Sequence, residues 1–295
     1  MHFAVLCSPD SWYLRDLRRA AGDKHEITSV TFGGLAAQLA GNRFGASSTG
    51  IDLTSIDAVL VRTMPPGSLE QVVFRMDVLG QLERSGTLVI NPARAIEGAV
   101  DKFLASAKLA AAGLRIPRTC VCQTVDDAVA AFEELGDDVV LKPLFGSEGR
   151  GIARLNDEAV ARRTFSLLVP LGAVLYLQEF VPHEGYDIRV LLVGEKSWGM
   201  RRTNALDWRT NISRGATAEP LALSLREIEL AQKAAAALGA PLSGVDLLPG
   251  RDGELYTIEV NAVPGWQALS RVHEVDIARE VLAFVESCIT RARSK

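Results

Sequence analysis

Residues 139–152, VVLKPLFGSEGRGI, set Lys142 at the end of an apolar run and follow it with glycines at 146, 149 and 151. A lysine fixed on a strand end, beside closely spaced backbone N–H groups, suits phosphate. The ammonium neutralises charge, and glycine lets the backbone approach an anion and swing between open and closed states. The order is the reverse of a P-loop, whose lysine follows its glycines. GxxxxGK[ST] is absent, and so is a GxGxxG opening a helix, which disfavours P-loop and dinucleotide-binding readings. Taken alone, the string also fits a surface hairpin with a chance lysine.

Three other groups of residues bear on this. In LYLQEFV a strand ends in Gln178-Glu179-Phe180-Val181. A carboxylate and exposed backbone there suit the amino and ring-nitrogen edge of adenine, with apolar walls for the ring; the plainer reading is a solvated glutamate on an edge strand. In DIRVLLV the two-residue period puts Asp187, Arg189 and Leu191 on one face and Ile188, Val190 and Leu192 on the other. Asp187 and Arg189 therefore leave the apolar face together, either as a solvated ion pair or as an acid for ribose hydroxyls and a guanidinium for a transferred phosphoryl. In YTIEVNA, Glu259 and Asn261 share a strand face, while Asp246 enters the apolar run VDLL. Three oxygen ligands on neighbouring strands suit a hard cation such as Mg²⁺ held partly by substrate phosphates. Asp and Asn are disfavoured inside apolar strands, which favours a task for them over scattered surface polarity. His2, His25, His183 and His273 show no HExxH or paired spacing, so zinc is not expected.

The elements that must position these groups change character along the chain. HFAVLC (2–7), EITSVTF (26–32), DAVLVRT (57–63) and TLVINP (87–92) read as strands; WYLRDLRRAAG (12–22) and LEQVVFRMDVLGQLERSG (69–86) read as helices stopped by glycine. That β-α-β…β-α-β order predicts a small parallel sheet covered by helices. Residues 95–113 predict one long helix. CVCQTV, DDAVAAFEEL and DVVLKPL follow as strand, helix and strand, and AVLYLQEFV (173–181) as a further strand. DIRVLLVG and SWGMRRT flank a hairpin turn at Gly194-Glu195-Lys196. A helix at 226–239, the strands SGVDLL and ELYTIEVNA, and a closing helix complete an α+β part.

Hydrophobic residues at 48%, charged residues at 23% and a net charge of −4 fit a globular chain and exclude a global pull towards nucleic acid, so anion binding must be local. Cys7, Cys120, Cys122 and Cys288 lack redox or zinc-knuckle spacing and read as small apolar thiols in a reducing compartment. MHFAVLCSPD has no basic leader and too short an apolar run for a signal peptide, and no apolar stretch reaches the roughly 18 residues of a membrane span. The expected location is the cytoplasm.

In their order, these motifs resemble the ATP-grasp superfamily, specifically the branch of the ribosomal-protein-S6 glutamate ligases and lysine-biosynthesis ligases. The resemblance runs from the N-terminal unit to EVNAVPG. It implies an α/β N-terminal domain followed by an α+β ATP-grasp fold in three domains: 1–94, 95–182 with the glycine-rich lid, and 183–295 with the metal site. Position by position, Lys102 in VDKFLASAKLAAAGLRIPRT resembles the first phosphate lysine and Lys142 the second. Gly146, Ser147, Glu148, Gly149 and Gly151 fall on the lid, Gln178, Glu179, Phe180 and Val181 on the adenine hinge, and Asp187 on the ribose-side acid. Arg189 and Arg202 match basic residues around the transferred phosphoryl and substrate carboxylate. Arg209 and Asn211 in WRTN match a segment facing the nucleotide phosphates, and Asp246, Glu259 and Asn261 match magnesium ligands.

The resemblance implies ATP and Mg²⁺, with Mn²⁺ as a substitute, and ligation of a carboxylate to an amine through an acyl phosphate. An excess of arginines, Arg62, Arg189, Arg202 and Arg214, suits an acidic amino acid, with glutamate the first choice; the partner is a small-molecule amine acceptor, with neither nucleic acid nor membrane, and homo-oligomerisation is left open. Two departures fall where specificity should sit: Val61-Arg62 replaces the usual Pro-Arg pair, and Trp266-Gln267 follows the final glycine. The tryptophan variant resembles members tied to methanopterin- or methanofuran-type cofactor assembly. A kinase on the same fold and a nucleotide-binding regulatory protein are the competing readings.

Overall fold

The computed structural model describes residues 1–146, 150–212 and 215–294. Ser147, Glu148, Gly149 and Arg214, named above as lid and substrate residues, lie outside the described residues.

β1 (His2–Leu6), α1 (Trp12–Ala21) and β2 (Glu26–Val30) form the first crossover unit. An antiparallel ribbon of β3 (Leu35–Ala40), β4 (Arg43–Ser48) and β5 (Ile51–Asp52) follows, where the sequence predicts no strand. Few of its residues are β-branched; a two-residue Gly41-Asn42 turn, with φ of 60° at Gly41, sets its register instead. β6 (Ala58–Val61), α2 (Leu69–Arg84) and β7 (Leu88–Ile90) complete a parallel sheet of order β2-β1-β6-β7. Ser68 and Gln71 start α2 with a reciprocal capping box.

The single helix predicted over 95–113 is two helices, α3 (Ala93–Val100) and α4 (Lys102–Ala111). Asp101, at φ −89° and ψ 104°, leaves helical geometry, and its carboxylate accepts from Leu104 N at 3.0 Å. An N-cap in the middle of a continuous apolar period breaks the helix there and puts Lys102 in the first turn of α4.

β8 (Thr119–Cys122), α5 (Val125–Glu134), β9 (Val139–Lys142), β10 (Ala153–Leu155), α6 (Glu158–Leu168) and β11 (Leu175–Glu179) make an antiparallel sheet of order β10-β9-β11-β8. It has its own core, built on Phe132, Leu141, Phe165 and Leu177. β12 (Tyr186–Val193), β13 (Lys196–Thr203), β14 (Thr217–Leu221), α7 (Leu225–Leu238), β15 (Leu242–Pro249), β16 (Leu255–Asn261), α8 (Gln267–His273) and α9 (Ile277–Arg293) follow. Their strands form an antiparallel sheet of order β14-β13-β12-β15-β16. Val193 pairs with Lys196, which confirms the predicted turn and trims it to Gly194-Glu195.

Both faces of this five-stranded sheet are covered. Ile188, Val190, Val245 and Val260 join Leu6, Val59, Leu79 and α7 in one core, whereas Leu191 and Val193 join Phe3, Val5, Leu60 and α9 in another. The N-terminal sheet therefore shares its two cores with the five-stranded sheet, and each fully buried Leu or Phe contributes roughly 2 kcal/mol. Ala95, Ile96, Ala105 and Leu109 of α3 and α4 pack in the first of these cores, not in the central one. On the face carrying Asp187 and Arg189, burial of Leu191 confines the polar positions to the first half of β12. No helix among the described residues is long and apolar enough to cross a membrane.

Candidate active site

The central sheet and the five-stranded sheet meet at two lysines. Lys142 ends β9, and its Nζ donates to Gln178 Oε1 on β11 at 2.5 Å. Gln178 Nε2 in turn donates to Tyr176 OH (3.0 Å) and Thr119 Oγ1 (3.1 Å), and Tyr176 OH shares a 2.7 Å bond with Ser106 Oγ of α4. Lys102 enters from the start of α4: its backbone N donates to Leu144 O at 3.3 Å and its Nζ to Gly146 O at 2.8 Å, tying that helix terminus to the head of the glycine loop. Both lysines and Glu259 line a cavity of about 20 Å³ with Ser106 and Tyr176. Burial pushes the Lys142 ammonium down to about 8; Glu259 and Asp246 oppose this and the charge of Lys102 adds to it. Burial lowers Lys102 too, against Glu259 and Asp101. Two ammonium groups facing one carboxylate leave a local positive excess suited to polyphosphate. Gly146 and Gly151 hold φ of 139° and 70°, which favour glycine.

Asp187, Arg189, Arg202 and Asp246 converge as a buried charge cluster. Neighbouring strands set the pairing: Asp187 lies opposite Arg202, and Arg189 opposite Asp246. Arg202 Nε donates to Asp187 Oδ1 at 2.7 Å and its Nη2 to Asp187 Oδ2, with Asp246 Oδ1 3.0 Å from the same nitrogen. Arg189 donates to Asp246 through Nε and, at 2.8 Å, through Nη2. Burial works against the charge of Asp246, but Arg189 and Arg202 prevail and hold its carboxyl below the usual range. Asp187, with Arg202 as its main charged partner, is raised by burial. The alternative of a solvated Asp187–Arg189 pair does not hold: each residue bonds across to the next strand, out of water.

The hinge residues divide their roles. Gln178 points its side chain at Lys142. The Glu179 carboxylate is engaged, accepting from Arg118 N at 2.9 Å and Arg118 Nε at 2.6 Å, so its side chain is not turned to an adenine edge. Phe180 lies under the Arg154 guanidinium at 3.5 Å and edge-on to Trp208 at 5.8 Å. Arg209 bonds Asp207 at 2.6 Å and reaches Ile152 O at 3.3 Å, so the WRTN segment touches both the hinge and the far end of the glycine loop; Asn211 follows in the same segment, half-buried. Val181 is buried beside a cavity of about 160 Å³ that Arg251, Asp252 and Tyr256 also line.

Asp246 and Glu259 are register partners, and Asn261 lies two residues on. The donor chemistry suits Mg²⁺: Glu259 makes no side-chain hydrogen bond among the described residues and faces the lysine cavity. Asn261 Oδ1 accepts from Val263 N at 2.8 Å, and the Asp246 oxygens accept from two guanidinium groups. Among the described residues no cluster of three or more acids, histidines or cysteines is close enough to hold a metal, because Asp246 is turned to the arginines and Asn261 is an amide.

Of the predicted substrate residues, Arg62 and Trp266 come together away from the lysines. The guanidinium of Arg62 lies 4.2 Å from the Trp266 ring and 4.9 Å from that of Tyr13, and Trp266 Nε1 donates to Asp16 Oδ2 at 2.9 Å. Sequence reasoning missed Tyr176, Ser106 and Arg118. Tyr176 alone left a signal, since the strand period puts it on the Gln178 face.

Two lysines beside the start of a glycine loop, a hinge at the end of β11 and Glu259 on the last strand of an antiparallel sheet are the arrangement of an ATP-grasp ligase, an enzyme that forms carbon–nitrogen bonds. A profile of the RimK-like ATP-grasp domain matches residues 99–285, and the chain belongs to that family. A tetrahydromethanopterin:alpha-L-glutamate ligase of Methanosarcina acetivorans is 31% identical, covering 97% of this chain and 98% of the relative. A probable alpha-L-glutamate ligase of Xanthomonas axonopodis pv. citri is 32% identical over 86% of each. Among solved structures, a RimK domain ATP-grasp protein from Sphaerobacter thermophilus superposes with a TM-score of 0.75 at 25% identity, covering 96% of this chain and 99% of that one. The ATP-grasp ligase PsnB, complexed with its minimal precursor, Mg and ADP, gives 0.76 at 20% identity, with 97% of each chain covered.

Proposed function

We propose that this ligase uses ATP and Mg²⁺ to join a carboxylate to an amine, with L-glutamate as one of its two substrates. The observation that carries the reading is the pair of lysines facing Glu259 across one cavity, with Lys102 bonded to Gly146 O at the head of the glycine loop. A substrate carboxylate oxygen attacks the γ-phosphorus and ADP leaves; the amine then attacks the acyl carbon, loses a proton, and phosphate leaves. Lys102 and Lys142 hold the phosphate oxygens, and Arg189 and Arg202 neutralise charge on the transferred group and the substrate carboxylate. Glu259 and Asn261, with Asp246, would hold Mg²⁺, which supplies charge neutralisation at the phosphates. The backbone at 178–181, with Phe180 and Val181 as walls, receives adenine, Asp187 lies on the ribose side, and Arg209 and Asn211 face the phosphates. The loop from Gly146 to Gly151 excludes water from the acyl phosphate.

The three units 1–94, 95–182 and 183–295 divide the work into substrate selection, lid and metal site. Tetrahydromethanopterin in the names of relatives supports a cofactor-assembly role with a one-carbon carrier as the partner substrate, in the cytoplasm. The test is incubation with ATP, Mg²⁺, glutamate and a panel of carboxylate and amine partners, with products read by mass spectrometry. ADP, phosphate and an amide in equal amounts support the reading; ADP with a stable phosphorylated product and no free phosphate replaces it with a kinase.

A further inference from the structure

The chain winds away from β1 and β6 in opposite directions, to β2 on one side and to β7 on the other. In open parallel sheets such a reversal leaves a crevice beyond the carboxyl ends of the two strands, where ligands bind. Arg62 is the first residue past β6, and Arg62 N and Thr63 N both donate to Leu6 O at the end of β1, at 2.9 and 3.2 Å. Its side chain therefore starts in that crevice.

The state of this side chain is unusual for arginine. It is 4% exposed. Nη2 donates to Pro264 O at 2.5 Å, but Nε and Nη1 are buried with no hydrogen-bond acceptor among the described residues. No carboxylate among the described residues pairs with it; Tyr13 and Trp266 supply only their rings. Leaving buried N–H groups of a cation unmet is costly, and a clamp on Pro264 O alone would need neither the charge nor the two spare donors.

The crevice also adjoins the charge cluster. A Cβ on Gly244 would lie 3.2 Å from Pro264 Cβ and 2.5 Å from Arg189 Nη1, so Pro264 has Arg62 at its carbonyl and Arg189 close by. Gly265 is bare where a Cβ would lie 2.5 Å from Tyr13 OH, which lets α1 close over the guanidinium.

We propose that Arg62 binds the carboxylate of the amino-acid substrate that takes no part in the reaction, in the crevice beyond β1 and β6, so that the N-terminal unit selects an acidic amino acid. This rests on the ligase reading above. Glutamate carries such a carboxylate whether it supplies the amine or the acyl group. Nε and Nη1 are the donors left for it, and because neither meets solvent, entry moves Tyr13 or the turn at 264–266.

The test compares the full-length wild type with Arg62→Met, and with Arg62→Gln in case methionine does not fold. ADP binding and the melting temperature establish folding. Glutamate and glutamine are then titrated calorimetrically in the presence of Mg²⁺ and ADP. Wild type should prefer glutamate by roughly tenfold or more, and the folded variant should bind both alike through loss of glutamate affinity. A folded variant that keeps the preference overturns the assignment, as does a wild type with no preference for the acid. An Arg62-dependent preference in a protein that makes no amide keeps the assignment and overturns the ligase reading.

Discussion

Asp246 and Glu259 are direct partners in the ladder between β15 and β16, yet their carboxylates keep different company. Asp246 is bonded to Arg189 and Arg202; Glu259 faces Lys102 and Lys142 across the small cavity. Asp246 is also held in a buried charge network, whereas Glu259 is free of one and lies where phosphates and a cation would meet.

That difference separates the two mutants. Glu259→Gln keeps the shape and removes a charge that makes no ion pair or hydrogen bond among the described residues, though it helps to keep Lys142 and Lys102 charged, so the fold should persist while turnover falls at least roughly tenfold at saturating Mg²⁺. A magnesium titration of ADP release reads it. A curve superposing on wild type would sink the assignment of Glu259.

Asp246→Ala should instead act on stability. It leaves two guanidinium groups with only Asp187, and removing one partner from a buried ionic group costs about 3–5 kcal/mol. Urea unfolding of the two variants should show a large loss for Asp246→Ala and a small one for Glu259→Gln; equal midpoints contradict the geometry.

Lys142 gives a pH prediction of its own. Its ammonium titrates at about 8 in the folded protein because it is buried. The folded pKa lies below the ordinary lysine value, so the unfolded chain holds more protons above pH 8. The contribution of Lys142 to stability is therefore least favourable below 8 and improves from there towards the ordinary lysine pKa of roughly 10.4. Nucleotide affinity should run the other way, since phosphate needs the charged form. ADP affinity should fall above pH 8 in wild type and stay flatter in Lys142→Arg. Parallel pH profiles for the two proteins would remove Lys142 from the phosphate site.

The sequence carried the parallel N-terminal sheet and the turn at Gly194-Glu195 because each is a local pattern of period or composition. It could not carry the charge network. Period two put Asp187 and Arg189 on one face, but their partners, Arg202 and Asp246, come from strands whose register only the fold sets. The break at Asp101 was hidden by an apolar period that runs through it; the capping carboxylate, one residue before Lys102, was the signal. The crowding of Arg62 by Tyr13 and Trp266 joins residues about 200 apart in sequence from Trp266 to Arg62, which no window along the chain contains.

Asp101 therefore carries a prediction about the first lysine. Its side chain caps α4, and losing such a cap costs about 1 kcal/mol. In Asp101→Ala the run from α3 can continue as one helix, turning Lys102 away from Gly146 O. Expected are a modest fall in melting temperature and weaker ADP binding, with Asp101→Asn or Asp101→Ser close to wild type because both cap. If alanine and asparagine weaken ADP equally, the charge of Asp101 beside Lys102, and not the cap, is what matters.

Gly244 tests the cluster without touching any of its charges. It pairs with Leu191 on one side and Asn261 on the other, and a Cβ there would lie 2.5 Å from Arg189 Nη1 and 3.2 Å from Arg189 Cδ. The nearest obstacle is the far end of a flexible side chain, so the strand can stay in place while the guanidinium moves off Asp246. Overpacking of this kind costs about 1–3 kcal/mol, less than removing a buried charge outright. Gly244→Ala should therefore fold and bind ADP, but lose kcat out of proportion to its loss of stability, if Arg189 acts on the transferred phosphoryl group as proposed. Pairing the change with Arg189→Ala makes the argument decisive: if the alanine acts through Arg189, the double variant should be no slower than Arg189→Ala alone, whereas additive losses would show that Gly244 matters for another reason.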